Sequence, residues 1–295
     1  MPATIASEER CDDIDRDSRR GVPVDRVVKG WMNSGDTLLM SKNPAKDFGE
    51  IASEYAFFEQ HATQAQEDAR AYQVHVATIK PADRIVNLLD FGCGSGTFTV
   101  RFLEHTGWPP ERLRLTLVEP AESVRREAVA RLARFTASPL VESSALPITL
   151  DRRFDIVLAN HVFYYVPDLQ GTLSQLVAAL APTGVLLVAI AARTNVLVEF
   201  SIAGFESLGG EMPYHTSEDI EIALHALNAN YEKHPVPYEL SFPDSDENRM
   251  RIIRFLLADH LARMPQRPLL EWFDQFSRAG RIEIHTQSDH YTLRP

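Results

Sequence analysis

Apolar positions along the chain come in two rhythms. Between 47 and 80 they recur at three- and four-residue steps, as Phe48, Ile51, Tyr55 and Phe58, then as Ala69, Tyr72, Val76 and Ile79. That spacing predicts an amphipathic pair of helices. From Ile85 onward the rhythm becomes short continuous apolar runs, the pattern of parallel strands buried on both faces. Such runs cover 85–91, 115–118, 155–159 and 184–190, with a shorter one opening at Val141. Helical spacing separates them: Phe98, Phe102 and Leu103; then Val124, Ala128, Leu132 and Phe135; then 173–180. Strand and helix in alternation predict an α/β sheet.

Beyond 190 the pattern is less regular. Residues 194–230 read as helical, with Thr216-Ser217-Glu218-Asp219 as a helix start. A sixth strand is expected at 238–242 and a last one at 290–293. Between them, 244–279 reads as a helical insertion carrying Ile252, Phe255, Leu256, Leu261, Trp272, Phe273 and Phe276. It is longer than a hairpin connection requires, so it is expected to roof a pocket. The division is then an arm at 1–46, of mixed charge and no periodicity, a helical cap at 47–80, and a sheet domain at 81–295.

The chemistry begins where the first strand ends, in Asp90-Phe91-Gly92-Cys93-Gly94-Ser95-Gly96-Thr97. Strand, glycine loop and helix open a nucleotide-binding βαβ unit, in which a ligand lies against bare backbone at a helix N-terminus. A dinucleotide fingerprint needs its third glycine at 97, which is threonine here. Glu119 closes the second strand, where a carboxylate either accepts both ribose hydroxyls or caps the next helix. Ser143 and Ser144 follow the third strand and are candidates to face a base. The fourth strand runs into Asn160, His161, Tyr164 and Tyr165 at the carboxyl edge of the sheet. Asn160 can present its amide to a reacting centre, and His161 is either a base or a hydrogen-bonded packing residue. Tyr164 suits a pocket wall better than an acid, because an unshifted phenol has a pKa of ~10. In the cap, the rings of Tyr55 and Phe58 suit a bound cation.

A net charge of −11 argues against a sequence-independent grip on nucleic acid or anionic lipid. A small-molecule substrate is therefore expected. The two cysteines, Cys11 and Cys93, make no disulfide framework and point to a reducing cytoplasm. No apolar run reaches membrane-spanning length, the N-terminus does not read as a signal peptide, and scattered histidines give no metal-site spacing. Nothing in the sequence sets an oligomeric state.

Asp90-x-Gly92-x-Gly94-x-Gly96, with Val118-Glu119-Pro120 downstream, resembles the first two motifs of the class I S-adenosylmethionine (SAM) methyltransferases. Over 48–293 the chain is similar to the histamine N-methyltransferase-like small-molecule group. The likeness is carried further by Phe58-x-x-His61-x-Thr63, Tyr164-Tyr165-Val166 and the Thr216 helix start. It implies a Rossmann-like seven-stranded sheet with an N-terminal helical cap and an insertion before the last strand. It also implies SAM as cofactor, with contacts at Gly92, Glu119, Ser144 and Asn160; Asp90, Gly94, Gly96 and Ser143 join these candidates from the loop and strand pattern. Catalysis would fall to Asn160, His161 and Tyr164. The substrate would lie among Tyr55, Phe58, His61, Gln64, Tyr164 and Tyr165. In the histamine enzyme an acid stands where this chain has Gln64, and an amide cannot pair with a substrate ammonium. The expected activity is methyl transfer to N or O of a metabolite. Two alternatives are SAM-dependent cyclisation to azetidine-2-carboxylate, which also resembles this group, and a non-catalytic SAM-binding module.

Overall fold

The computed structural model describes residues 50–79, 84–146 and 153–295. The expected arm at 1–46 and Phe48 of the cap lie outside the described residues. Seven strands form one path in the order β3-β2-β1-β4-β5-β8-β6. They are β1 Val86–Phe91, β2 Leu113–Val118, β3 Val141–Ser143, β4 Phe154–Asn160, β5 Leu180–Ile190, β6 Tyr231–Pro243 and β8 Arg281–Leu293; a two-residue β7, Ser277–Arg278, adds to β8. β1 to β5 are parallel, and β8 enters antiparallel between β5 and β6. The chain reverses its order beside β1, so the carboxyl ends of β1 and β4 face one crevice, where open sheets bind ligands.

The apolar runs account for the middle of the sheet. Leu88 and Leu89 of β1, Ile156 to Ala159 of β4 and Val185 to Ile190 of β5 are fully or almost fully buried. One apolar layer sets Phe102 and Leu103 of α3 (Thr97–Thr106), with Ala128 and Leu132 of α4 (Glu122–Leu132), against Leu115 and Leu117. The opposite layer packs Leu173 and Leu176 of α5 (Leu169–Ala178) on Val157 and Leu186.

The outer hairpin differs from expectation. β6 and β8 are thirteen residues each and pair throughout, from Tyr231 with Leu293 to Pro243 with Arg281. The sequence pattern showed only 238–242 and 290–293. Pro235 and Pro237 interrupt β6, but β6 is an edge strand and its free side tolerates missing N–H groups. In β8 the residues 288 to 290 are Ser, Asp and His, yet all three are buried. Their polarity conceals the strand from a hydrophobic reading.

The cap consists of α1 (Ala52–His61) and α2 (Gln64–Val76). The 194–230 stretch folds as α6 (Val196–Glu206) and α7 (Ser217–Ala226), the latter opened by a Thr216–Asp219 capping box. The insertion holds α8 (Asp246–Leu257), a 3-10 segment Ala258–Arg263, α9 (Gln266–Glu271) and a second 3-10 segment Trp272–Phe276. Cap and insertion share one apolar cluster: Phe57 and Phe58 join Phe242, Ile252, Leu257 and Phe273, and the rings of Phe58 and Phe255 stack 4.7 Å apart. No helix among the described residues is long and apolar enough to cross a membrane.

Arg249 closes the insertion on itself. Its guanidinium donates to both oxygens of Asp244 (2.6 and 2.9 Å), to Asp274 (2.6 Å) and to the Leu270 carbonyl (2.8 Å). Arg249→Met would strand the half-buried Asp244 carboxylate. It is expected to cost about 2–3 kcal/mol of stability, read as a lowered urea midpoint with an unchanged slope.

Candidate active site

The site begins at the three loop glycines, all with positive φ: 74° at Gly92, 52° at Gly94 and 80° at Gly96. A Cβ on Gly92 would lie 2.2 Å from Val162 Cγ2, and one on Gly96 3.1 Å from the Ala128 backbone. A Cβ on Gly94 meets no protein atom within 4 Å. Two glycines therefore let protein pack on protein, and only Gly94 keeps bare backbone facing open space. The protein leaves room for a side chain at 94, so the cost of one within the protein is one of backbone conformation.

Two carboxylates flank the loop. Glu119 accepts from Gly94 N (3.1 Å) with Oε2 and from Ala121 N (2.9 Å) with Oε1. It braces the loop and starts α4 at once, as the capping reading expects. Asp90 is buried and accepts from the Thr99 hydroxyl. Burial pushes its carboxyl up to about 7, the Thr99 hydrogen bond offsets part of the rise, and the Glu119 charge adds to it. Ser143 turns its hydroxyl onto the Ala145 backbone, donating to O at 2.6 Å and accepting from N at 3.3 Å, while Ser144 stands beside it in the turn.

The second half of the site hangs from the end of β4. His161 adopts φ 55°, a left-handed conformation rare for a residue with a side chain, and its N–H still reaches the Ala189 carbonyl (2.9 Å). The turn aims the imidazole at α2 above the sheet. There His161 Nε2 lies 3.0 Å from Asp68 Oδ2, and His290 Nε2, from β8, lies 2.7 Å from Asp68 Oδ1. Asn160 Nδ2 approaches Asp68 Oδ2 at 3.5 Å, and Asn160 Oδ1 accepts from the buried Tyr72 hydroxyl (3.0 Å). Asp68 is 1% exposed. Burial would raise its pKa, but the two imidazoles outweigh that and hold the carboxyl at about 2.

On its other side His161 Nδ1 stands 3.2 Å from the Tyr164 hydroxyl, which accepts from Ala191 N (2.8 Å). Tyr165 packs edge-on against Tyr214 with ring centres 5.2 Å apart. Gln64 donates to Ser288 Oγ (3.3 Å) and hydrogen-bonds Tyr238. Tyr238 in turn accepts from Asn195 (3.1 Å). Of the cap residues, Tyr55 and Phe58 pack on Phe255, and His61 turns its Nδ1 back to the Phe57 carbonyl (2.8 Å). Asn160, His161 and Tyr164 are thus joined in one network, with Gln64 on the same cap helix as Asp68; His61 is tied to its own helix instead.

Asp68 and His290 were not singled out from the sequence. The available signal was periodicity: Gln64, Asp68 and Tyr72 are spaced by four and share one face of α2. Among the described residues, no group of His, Cys, Asp or Glu is arranged to hold a metal.

Comparison with known proteins shows what the chain is similar to. Residues 89–186 match the model described as a methyltransferase domain. Histamine N-methyltransferase B of Xenopus laevis is 24% identical over 253 residues, 76% of this chain and 83% of that protein. Malonyl-[acyl-carrier protein] O-methyltransferase of Acetivibrio thermocellus is 30% identical over 103 residues, 34% of each chain. The aligned stretch thus spans about a third of that relative's length. The structure of the plantazolicin methyltransferase in complex with SAH superposes with a TM-score of 0.48 at 12% identity, covering 91% of this chain and 93% of its own.

Asp90 gives the site a measurable pH signature. Its folded carboxyl titrates at about 7, against ~3.9 for an unfolded aspartate, so the folded state binds the extra proton between those values. Stability from that proton is complete below pH ~4 and is lost as pH rises to 7. Asp90→Asn keeps an acceptor for Thr99 and does not titrate. Its melting temperature should therefore gain on wild type between pH 5 and pH 8, corresponding to on the order of 2 kcal/mol by calorimetry.

Proposed function

We propose that this chain, a member of the class I SAM-dependent methyltransferase superfamily, methylates N or O of a small metabolite. The observation that carries the reading is the open cradle at Gly94 with the Glu119 carboxylate beside it. The donors and acceptors around the loop suit SAM. Gly94 leaves backbone accessible, and Glu119 is an acceptor for the two ribose hydroxyls. Ser143 and Ser144 border the place of the base, and Asp90 stiffens the loop through Thr99. When bound, SAM supplies a methyl group on a sulfonium, already an excellent leaving group. What remains for the protein is placement, shielding from water and removal of a proton. Cap and insertion, fused through Phe58 and Phe255, provide the cover, and Asn160, His161 and Tyr164 line its floor.

Of the relatives, one is named for histamine and one for a malonyl carrier protein. That span of chemistry leaves the acceptor of this chain to its own side chains. With Gln64 engaged by Ser288 and Tyr238, the acceptor side presents neutral polar groups at the position of the histamine enzyme's acid.

Two measurements test the reading. Gly94→Ala puts a methyl group where no protein atom lies, so it should retain the fold while weakening SAM binding at least tenfold by calorimetry. An unchanged dissociation constant would remove the loop from the cofactor site. Incubating the wild type with SAM and a panel of small amines, phenols and alcohols should release S-adenosylhomocysteine with at least one of them. Release of methylthioadenosine from SAM alone would replace methyl transfer by internal cyclisation of SAM.

A further inference from the structure

Asp68 is a buried carboxylate with no place in the cofactor cradle, and three donors from two strands converge on it. We propose that Asp68 is a positioning residue that makes His161 the proton acceptor of the reaction, and that the acceptor substrate is correspondingly a neutral N–H or O–H nucleophile. The proposal rests on the methyltransferase reading above and deepens it.

The hydrogen-bond pattern fixes the tautomer. A carboxylate only accepts, so the nitrogen of His161 facing Asp68, Nε2, carries hydrogen. His161 Nδ1 is then a bare lone pair. Tyr164 accepts from the Ala191 N–H, which leaves its own hydroxyl hydrogen free to donate to Nδ1. The order is Tyr164, His161, Asp68: a hydroxyl, an imidazole and an orienting carboxylate, each held by the next. His290 occupies the second oxygen of Asp68 through its own Nε2 and keeps the carboxylate from rotating. Tyr72 fixes the amide of Asn160, which completes the set.

The charge balance gives this array a purpose. In the transfer, the methyl–sulfur bond breaks with its electrons going to sulfur, and a methyl–nitrogen or methyl–oxygen bond forms. The nucleophile must shed its proton, and the positive charge of the sulfonium has to end somewhere. Here the proton passes to Tyr164 oxygen as Tyr164 gives its own to His161 Nδ1. The positive charge then rests on an imidazolium 3.0 Å from Asp68. Burial pushes the Tyr164 phenol up, with Tyr238, Asp68 and Asp289 adding to the rise. It therefore hands its proton on only as it receives one. Asp68 stays ionised and does not take the proton itself. The charged and titratable groups facing His161 are Asp68 and, across Asp68, His290 from β8; Tyr164 adds the influence of Tyr238 and Asp289.

The test is nitrogen-15 NMR of the full chain with labelled histidine, in wild type and Asp68→Asn. In wild type at pH 8, His161 should be the neutral tautomer protonated at Nε2 and bare at Nδ1. In the variant the preference for that tautomer should weaken at least threefold, since an amide can donate to Nε2 as well as accept from it. With an acceptor from the panel, kcat/KM should fall at least 100-fold while the dissociation constant of SAM moves less than threefold. A wild-type His161 protonated at Nδ1, or an equal tautomer ratio in both proteins, would overturn the proposal. Should the variant fail to fold, the wild-type tautomer decides alone. Failure of SAM to bind, or release of methylthioadenosine, counts against the methyltransferase reading, whereas an altered tautomer with methyl transfer intact counts against Asp68 only.

Discussion

A single buried charge ties the molecule together above its sheet. Burying a carboxylate costs several kcal/mol unless hydrogen bonds replace its water. Asp68 meets that cost with His161 from the end of β4, His290 from β8 and the Asn160 amide. Its helix can therefore sit in one place only, with Gln64 one turn before Asp68 and Tyr72 one turn after. The same contacts explain why His161 tolerates a left-handed backbone. The strained turn is the conformation that brings its ring to Asp68 while its N–H still reaches Ala189.

The glycine loop and the His161 turn are coupled through packing. Val162 follows His161 and lies so close to Gly92 that no side chain fits between them. The glycine loop and the turn that carries the imidazole thus share a wall, one Cα wide. Gly96 does the equivalent on the other side, against Ala128 of α4. Glu119 then links loop to helix by accepting from Gly94 and Ala121 together. These close approaches set the two halves of the candidate site at a fixed spacing.

The outer hairpin plays a different part. β8 runs antiparallel between β5 and β6, and its buried polar residues face two networks. His290 serves Asp68, while Asp289 meets Lys233 at 2.8 Å on the opposite side, with Ser217 and Tyr291 close by. A strand whose neighbours in sequence alternate between sheet faces can feed both. For that reason the polar run from Ser288 to His290 is buried without being apolar.

The sequence by itself determined the parallel core, the glycine loop, Glu119 and the Asn160–His161–Tyr164 cluster, because each is written locally. A buried strand is apolar over its whole length, a left-handed loop needs glycine, and carboxyl-edge residues follow their strand directly. The pairing partners were decided by tertiary structure. Asp68 sits in Glu67-Asp68-Ala69-Arg70, which reads as an ordinary charged helix surface, and His290 sits in a polar stretch next to the C-terminus. Neither carries a motif, since what makes each of them matter is a donor or acceptor more than ninety residues away. The same holds for Pro235 and Pro237, which are tolerated because β6 is the last strand of the sheet, with the cap linker bridging it only further on, at Leu240. Hydrophobic period and backbone conformation are properties of short segments; the satisfaction of a buried polar group depends on what the folded chain brings beside it.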